Sequence, residues 1–119
     1  MRNDKENLIV NLSIDFALEI IEYCELLETK RKFIIANQLL KSGTSIGANV
    51  HEAQNAESKV DFIHKIKIAA KEADETDYWI TLRKLSPKYP NPEGLEIKVT
   101  SIINVLSKII SSSKNKSSD

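Results

Sequence analysis

The stretch SGTSIGANVHEA, residues 42–53, sets Gly43 and Gly47 four apart among small hydroxyl residues and follows them with Asn49, His51 and Glu52. Glycine-rich loops cradle phosphates by turning backbone N–H groups towards the anion, usually at the start of a helix. Such a loop follows a strand and places a lysine and a hydroxyl directly after its last glycine. Here Ala48 and Asn49 follow instead, and no β-type alternation precedes them. Ala36, Leu39, Gly43, Ile46, Val50 and Ala53 recur at steps of three and four, the period of one helix face. A phosphate loop would break that period, so the stretch reads as helix. Each glycine costs about 1 kcal/mol relative to alanine in a helix interior. Gly43 lies on the seam, where a missing side chain lets a neighbouring helix come close. Gly47, one turn on, extends the flat strip or permits a slight bend. Both are read as helix-packing positions.

Other chemistry-bearing residues are tested in the same way. Di-metal sites in helical bundles use inward-facing Glu-x-x-His pairs on two helices. Neither His51 nor His64 has a glutamate three residues before it; Asp61–His64 is the nearest approach, and it is single. His51 and Glu52 are adjacent, so on a helix they diverge by about 100°. Glu72, Asp74, Glu75 and Asp77 spread around their helix, as a solvated face does. Cys24 falls on the apolar side of its segment, where a thiol serves as a small packing group. The serines lie in caps, on the glycine strip or in the tail. Asn49 and Glu52 flank the seam and suit hydrogen bonds between helices or subunits. The residues predict no catalytic group, metal, cofactor or small-molecule substrate, and hence a protein that is not an enzyme.

The elements that carry these residues are legible from composition and period. A chain of 119 residues fits one domain, residues 1–119, with room for a real core. Its 17 Lys and Arg balance 17 Asp and Glu, so no whole-molecule field draws it to nucleic acid or membrane. A single cysteine excludes an internal disulfide and fits a reducing compartment. The opening MRNDKENLIVNLSIDF mixes charges of both signs and has no apolar run of signal-peptide length. Nothing approaches the roughly 20 apolar residues of a membrane span. A soluble, cytoplasmic protein without a membrane partner is expected.

Four helices are predicted, at about 11–28, 32–56, 59–85 and 92–111, with a disordered serine-rich tail at 112–119. Leu12, Phe16, Ile20, Tyr23, Cys24 and Leu27 form the first seam, and TKRK at 29–32 interrupts it. Ser58 with Asp61 makes a capping-box-like start for the third helix. Its seam is Phe62, Ile66, Ala69, Ala73, Thr76 and Ile80, ended by the prolines of LSPKYPNPEG. Asn91–Pro92 is placed as the cap of the last helix, whose seam is Leu95, Val99, Ile102, Leu106 and Ile109. Short connections make neighbours antiparallel. The expected fold is all-α, an up-down-up-down antiparallel four-helix bundle.

That topology gathers Lys30, Arg31 and Lys32 at the same end as Arg83, Lys84 and Lys88. The cations complement the negative ends of two helix dipoles, or they form a phosphate-contacting rim. On the third helix, Ile68 and Trp79 lie about a quarter-turn off the seam, with Leu82 and Tyr78 further round. A second apolar stripe of this kind marks an interface, here with further copies of the chain.

The segment NQLLKSGTSIGANVHEAQNAESKVDFIHKIKIAAKEADETDYWITL resembles the signature of the bacterial four-helix-bundle proteins encoded in intervening sequences of large-subunit ribosomal RNA genes. SIGANVHEA and KEADETDYW are its specific parts, and the resemblance extends from the first helix to Ile110. The accessory variability proteins of diversity-generating retroelements share the fold. The resemblance implies an up-down bundle assembling as a homopentamer, with nucleic-acid association proposed for some relatives. No catalytic residues are established for the family, so none is carried over. This chain differs from the strongly basic retroelement relatives in being neutral. Two readings follow: a non-enzymatic homo-oligomeric scaffold, or an accessory protein that binds RNA or DNA through a basic rim.

Overall fold

The computed structural model describes Asp4–Ser117 apart from Glu93, with side-chain burial defined between Leu8 and Lys114. It contains four helices, α1 (Asp4–Thr29), α2 (Phe33–Ala53), α3 (Lys59–Leu85) and α4 (Leu95–Ser117). α1 and α3 each pack against both α2 and α4, and α1 and α3 are diagonal to one another. Inter-helix contacts set the directions. Gly43 faces Ile20 while Gly47, further along α2, faces Ser13, so α1 and α2 run antiparallel. Thr76 meets Ser42 and Lys65 meets Glu52, which makes α2 and α3 antiparallel as well. Lys84 pairs with Glu96 across the α3–α4 connection, and Lys98 pairs with Glu19. The result is an elongated up-down-up-down bundle of 51 × 22 × 20 Å.

Its core is the set of predicted seams. Phe16, Ile20 and Leu27 on α1, Leu39, Ile46 and Val50 on α2, Ile66 and Ile80 on α3, and Val99, Ile102 and Leu106 on α4 are all buried. Phe62 and Leu12, placed on seams by period alone, are only half-buried against that cluster. One polar pair crosses the interior. The Ser42 and Thr76 hydroxyls lie 2.9 Å apart, and Thr76 also lies 2.8 Å from the Glu72 carbonyl. Thr76 carries one proton, so Ser42 supplies the other, and both buried hydroxyls are satisfied.

Helix boundaries depart from the sequence expectation for local reasons. α1 starts earlier than residue 11 because its seam continues back through Ser13 to Ile9, and both are buried. α1 ends in a Schellman closure: Lys32 N–H reaches the Leu27 carbonyl at 2.9 Å and Arg31 N–H the Glu28 carbonyl at 2.9 Å. Arg31 sits at φ 61°, the left-handed conformation this closure requires. α2 stops at Ala53 rather than 56, since Gln54, Asn55 and Ala56 close tighter turns onto carbonyls three residues back. Ser58 caps α3 as expected from its sequence: its hydroxyl accepts from Asp61 N–H at 3.1 Å, and the Asp61 carboxylate accepts from Glu57 N–H at 3.3 Å.

The last helix requires two corrections. Asn91–Pro92 does not cap it; Gly94 takes φ 80° and α4 begins at Leu95, whose N–H reaches the Pro92 carbonyl at 3.0 Å. Residues 112–117, expected to be disordered, continue α4. Ser112 and Ser113 are half-buried, and Lys114 stands near the helix C-terminus, where cations are favoured. Ser118 and Asp119 lie outside the described residues.

Candidate interaction surfaces

The glycine strip is built into the α1–α2 contact. A Cβ on Gly43 would stand 2.9 Å from both Cγ1 and Cγ2 of Ile20, closer than carbon atoms tolerate. A Cβ on Gly47 would meet the Ser13 carbonyl oxygen at 3.4 Å, an ordinary contact. Only Gly43 is therefore obliged to be glycine by its neighbour. Beside the strip, Asn49 Nδ2 donates to the Ser45 carbonyl of its own helix, so it does not bridge helices. Glu52 does, accepting from Lys65 Nζ at 3.2 Å. His51 is exposed. Among the described residues, no group of three or more His, Cys, Asp or Glu is placed to hold a metal.

Cys24 is buried, with Sγ 3.4 Å from the Ala36 carbonyl oxygen. Burial, reinforced by the nearby Glu28 carboxylate, pushes its thiol up from 9.0 to about 12. Nucleophilic chemistry needs the thiolate, so this cysteine is an inert packing group. Its shift has a consequence at high pH. Between pH 9.0 and about 12 the unfolded chain loses the thiol proton while the folded chain keeps it. The unfolded state then binds fewer protons, and stability falls as pH rises. Burial of the Tyr23 phenol acts in the same direction. The melting temperature is expected to decline from about pH 9 upward. Cys24→Ala should flatten the first part of that decline; an equally steep fall in the variant would contradict the assignment.

The bundle end formed by the α1–α2 and α3–α4 connections holds the predicted cations. The Tyr23 hydroxyl donates to the Pro90 carbonyl at 2.6 Å, and Lys32 Nζ lies 5.4 Å from the centre of the Tyr89 ring, tying the two connections together. Lys30, Arg31 and Lys88 are exposed. Lys84 is exposed but paired with Glu96 at 3.1 Å. Arg83 does not belong to a rim: it is 6% exposed, and its Nε is buried without a hydrogen-bond partner. It extends the α3 seam, three residues beyond Ile80, and so turns inward. Its guanidinium is close enough to Tyr23 to oppose the burial-driven rise of that phenol. Glu25 and Glu28 are exposed at the same end and dilute its positive charge.

On α3, Tyr78 is 56% and Leu82 36% exposed, while Ile68 and Trp79 are half-buried. Trp79 packs partly on the core, meets the Tyr78 ring edge-to-face at 5.2 Å and donates its indole N–H to Glu75. The structure thus keeps the predicted stripe on the surface, with Trp79 as its anchored inner edge. Sequence reasoning missed a comparable stripe on α1, where Ile14, Leu18 and Ile21 are 52%, 59% and 38% exposed. Their spacing of four and three was the available signal. Asp15, Glu22 and Glu25, exposed among them, mask that signal.

No helix among the described residues is long and apolar enough to cross a membrane. The family model for the 23S rRNA-intervening sequence protein matches residues 5–112. A comparison with curated proteins finds no match. Among solved structures, the chain is similar to a protein of unknown function from the S23 ribosomal protein family of Bacteroides thetaiotaomicron. The two are 39% identical, with 90% of this chain and 98% of that chain covered and a TM-score of 0.85. With the match spanning all four helices, the chain belongs to the 23S rRNA-intervening sequence protein family.

Proposed function

We propose that this protein is a non-enzymatic helical bundle that assembles with copies of itself and works as a scaffold. The observation that carries this reading is the exposed apolar stripe of α3, where Tyr78, Leu82 and Leu85 are 56%, 36% and 75% exposed beside the half-buried Trp79. A lone bundle gains nothing from leaving that area in water, and contiguous apolar surface of this kind marks interfaces. Five copies per assembly is what the family resemblance implies; the stripe by itself supports self-association without a number.

A second reading, nucleic-acid association, is favoured by one feature, the exposed Lys30, Arg31 and Lys88 at a single end. In a closed ring, rotational symmetry brings the same end of every copy to one face and multiplies those charges. Two measurements separate the readings. Light scattering is expected to show a homo-oligomer, shifted towards monomer by Tyr78→Glu and by Trp79→Glu. Charge reversal at Lys30 and Arg31 should leave the assembly intact and remove any retention on RNA or DNA at low salt, because phosphate contacts release counterions. Wild-type protein that shows no low-salt retention would leave the scaffold alone.

A further inference from the structure

Two unlike apolar stripes stand on the surface of one bundle, and their charged borders differ in sign. From Leu8 to Thr29, α1 carries Asp15, Glu19, Glu22, Glu25 and Glu28 and no lysine or arginine. Its stripe of Ile14, Leu18 and Ile21 is therefore bordered by acid alone, with Asp15, Glu22 and Glu25 exposed. The α3 stripe has exposed His64, Lys67 and Lys71 along its first half. Glu75, the acid nearest the aromatic pair, is engaged by the Trp79 indole N–H at 3.2 Å, and Asp74 lies further round towards α4. The exposed side of α4 carries Ile97 near its start, but Ser101, Asn104, Ser107 and Lys108 beyond it are polar, so no apolar stripe runs along it.

From this complementarity we infer that the α1 stripe of one copy receives the α3 stripe of the next. The inference rests on the self-association reading and gives it a polarity: the contact joins two different surfaces. A contact of this kind generates a ring if the rotation closes. The bundle's own register fixes what meets what. Ile20 lies against Gly43, and the adjacent Ser42 lies against Thr76, so residues 20 and 76 share a level. Asp15 and Lys71, each five residues earlier on helices running the same way, share another. About a ring axis parallel to the bundle, levels are preserved from copy to copy. Asp15 then stands opposite Lys71 of the next copy, and Ile21 falls within two residues of the level of the Tyr78–Trp79 pair. On this register His64 and Lys67 are level with Leu8 and Asn11, and Glu22 and Glu25 with Tyr78 and Thr81. The charge match is therefore carried by Asp15 and Lys71; α1 against α1 would set acid against acid.

Leu18→Arg disables the α1 surface and Tyr78→Glu the α3 surface; both positions are exposed, and circular dichroism checks that each variant stays folded. Each variant alone should run as a monomer in light scattering. An equimolar mixture should form a dimer and nothing larger, because each partner retains only the surface the other lacks. Asp15→Lys and Lys71→Asp should each weaken assembly at least about tenfold, and the double variant, which restores the opposite signs, should recover it. An unchanged oligomer for Leu18→Arg, or a mixture that stays monomeric, would overturn the inference while leaving self-association through α3 standing. A monomeric wild-type protein would instead remove the self-association reading itself, and this inference with it.

Discussion

Gly43→Leu is expected to lower the melting temperature more than any single change on the bundle surface. The Cβ alone would stand 2.9 Å from two branch carbons of Ile20, a side chain that is itself fully buried. Those carbons are fixed close to the α1 backbone, so a rotamer change cannot clear them, and α1 and α2 must separate. Overpacking of this kind costs about 1–3 kcal/mol and occasionally more. The opposing gain from replacing glycine in a helix is at most about 1 kcal/mol. Strain therefore wins, and a drop of several degrees follows, at very roughly 4 °C per kcal/mol for a domain of this size. Gly47→Ala supplies the contrast. Its Cβ would meet only the Ser13 backbone oxygen at 3.4 Å, so the helix-propensity gain should leave stability unchanged or slightly raised. Thermal melts of the two variants test the close approach directly. Equal melting temperatures for Gly43→Leu and wild type would show that the helices are not held together there.

The contrast between the glycines also shows where sequence reasoning stops. Periodicity of three and four identified Ala36, Leu39, Gly43, Ile46, Val50 and Ala53 as one face, and all six are buried. It worked because each helix of a bundle buries one continuous stripe, so burial and period carry the same information. It did not separate Gly43 from Gly47, because the difference lies in which atoms of α1 come near, and those belong to Ile20 and Ser13, 23 and 34 positions away. Helix ends were less legible for a related reason. The start of α4 depends on Gly94 adopting φ 80°, and the early start of α1 on a seam residue, Ile9, that falls beyond the predicted boundary. At 112–117 a polar composition suggested disorder, but a helix already stabilised by packing through Ile109 can propagate into residues with modest propensity. The interaction surfaces were legible only where apolar residues stood out among polar ones. Tyr78 and Leu82 were found; Ile14, Leu18 and Ile21, spaced among carboxylates, were not.

Arg83 marks the clearest difference between a charge counted in the sequence and a charge placed in the fold. Its position three residues after Ile80 continues the α3 seam, and the structure follows the period rather than the residue type. The side chain is 6% exposed, and Nε has no hydrogen-bond partner. A buried donor left unsatisfied costs about 1–3 kcal/mol. Against that, a cation in the last turn of α3 is favoured by the helix dipole by roughly 0.3–1 kcal/mol, and the aliphatic stem fills space in the core. Arg83→Met keeps an unbranched stem and removes both the charge and the orphan donor, so it is expected to raise stability by about 1–2 kcal/mol. Arg83→Ala removes the stem as well and should lower stability, since the cavity outweighs the relieved donor. Denaturant unfolding of the two variants reads the balance through their midpoints. The same pair bears on function: neither substitution should alter retention on nucleic acid, in contrast to reversal of the exposed Lys30 and Arg31. If Arg83→Met is strongly destabilised, the guanidinium has partners that the Nε geometry does not reveal, and the charge is structural. If it instead folds normally but loses nucleic-acid retention, the end of the bundle opens in solution and Arg83 returns to the rim.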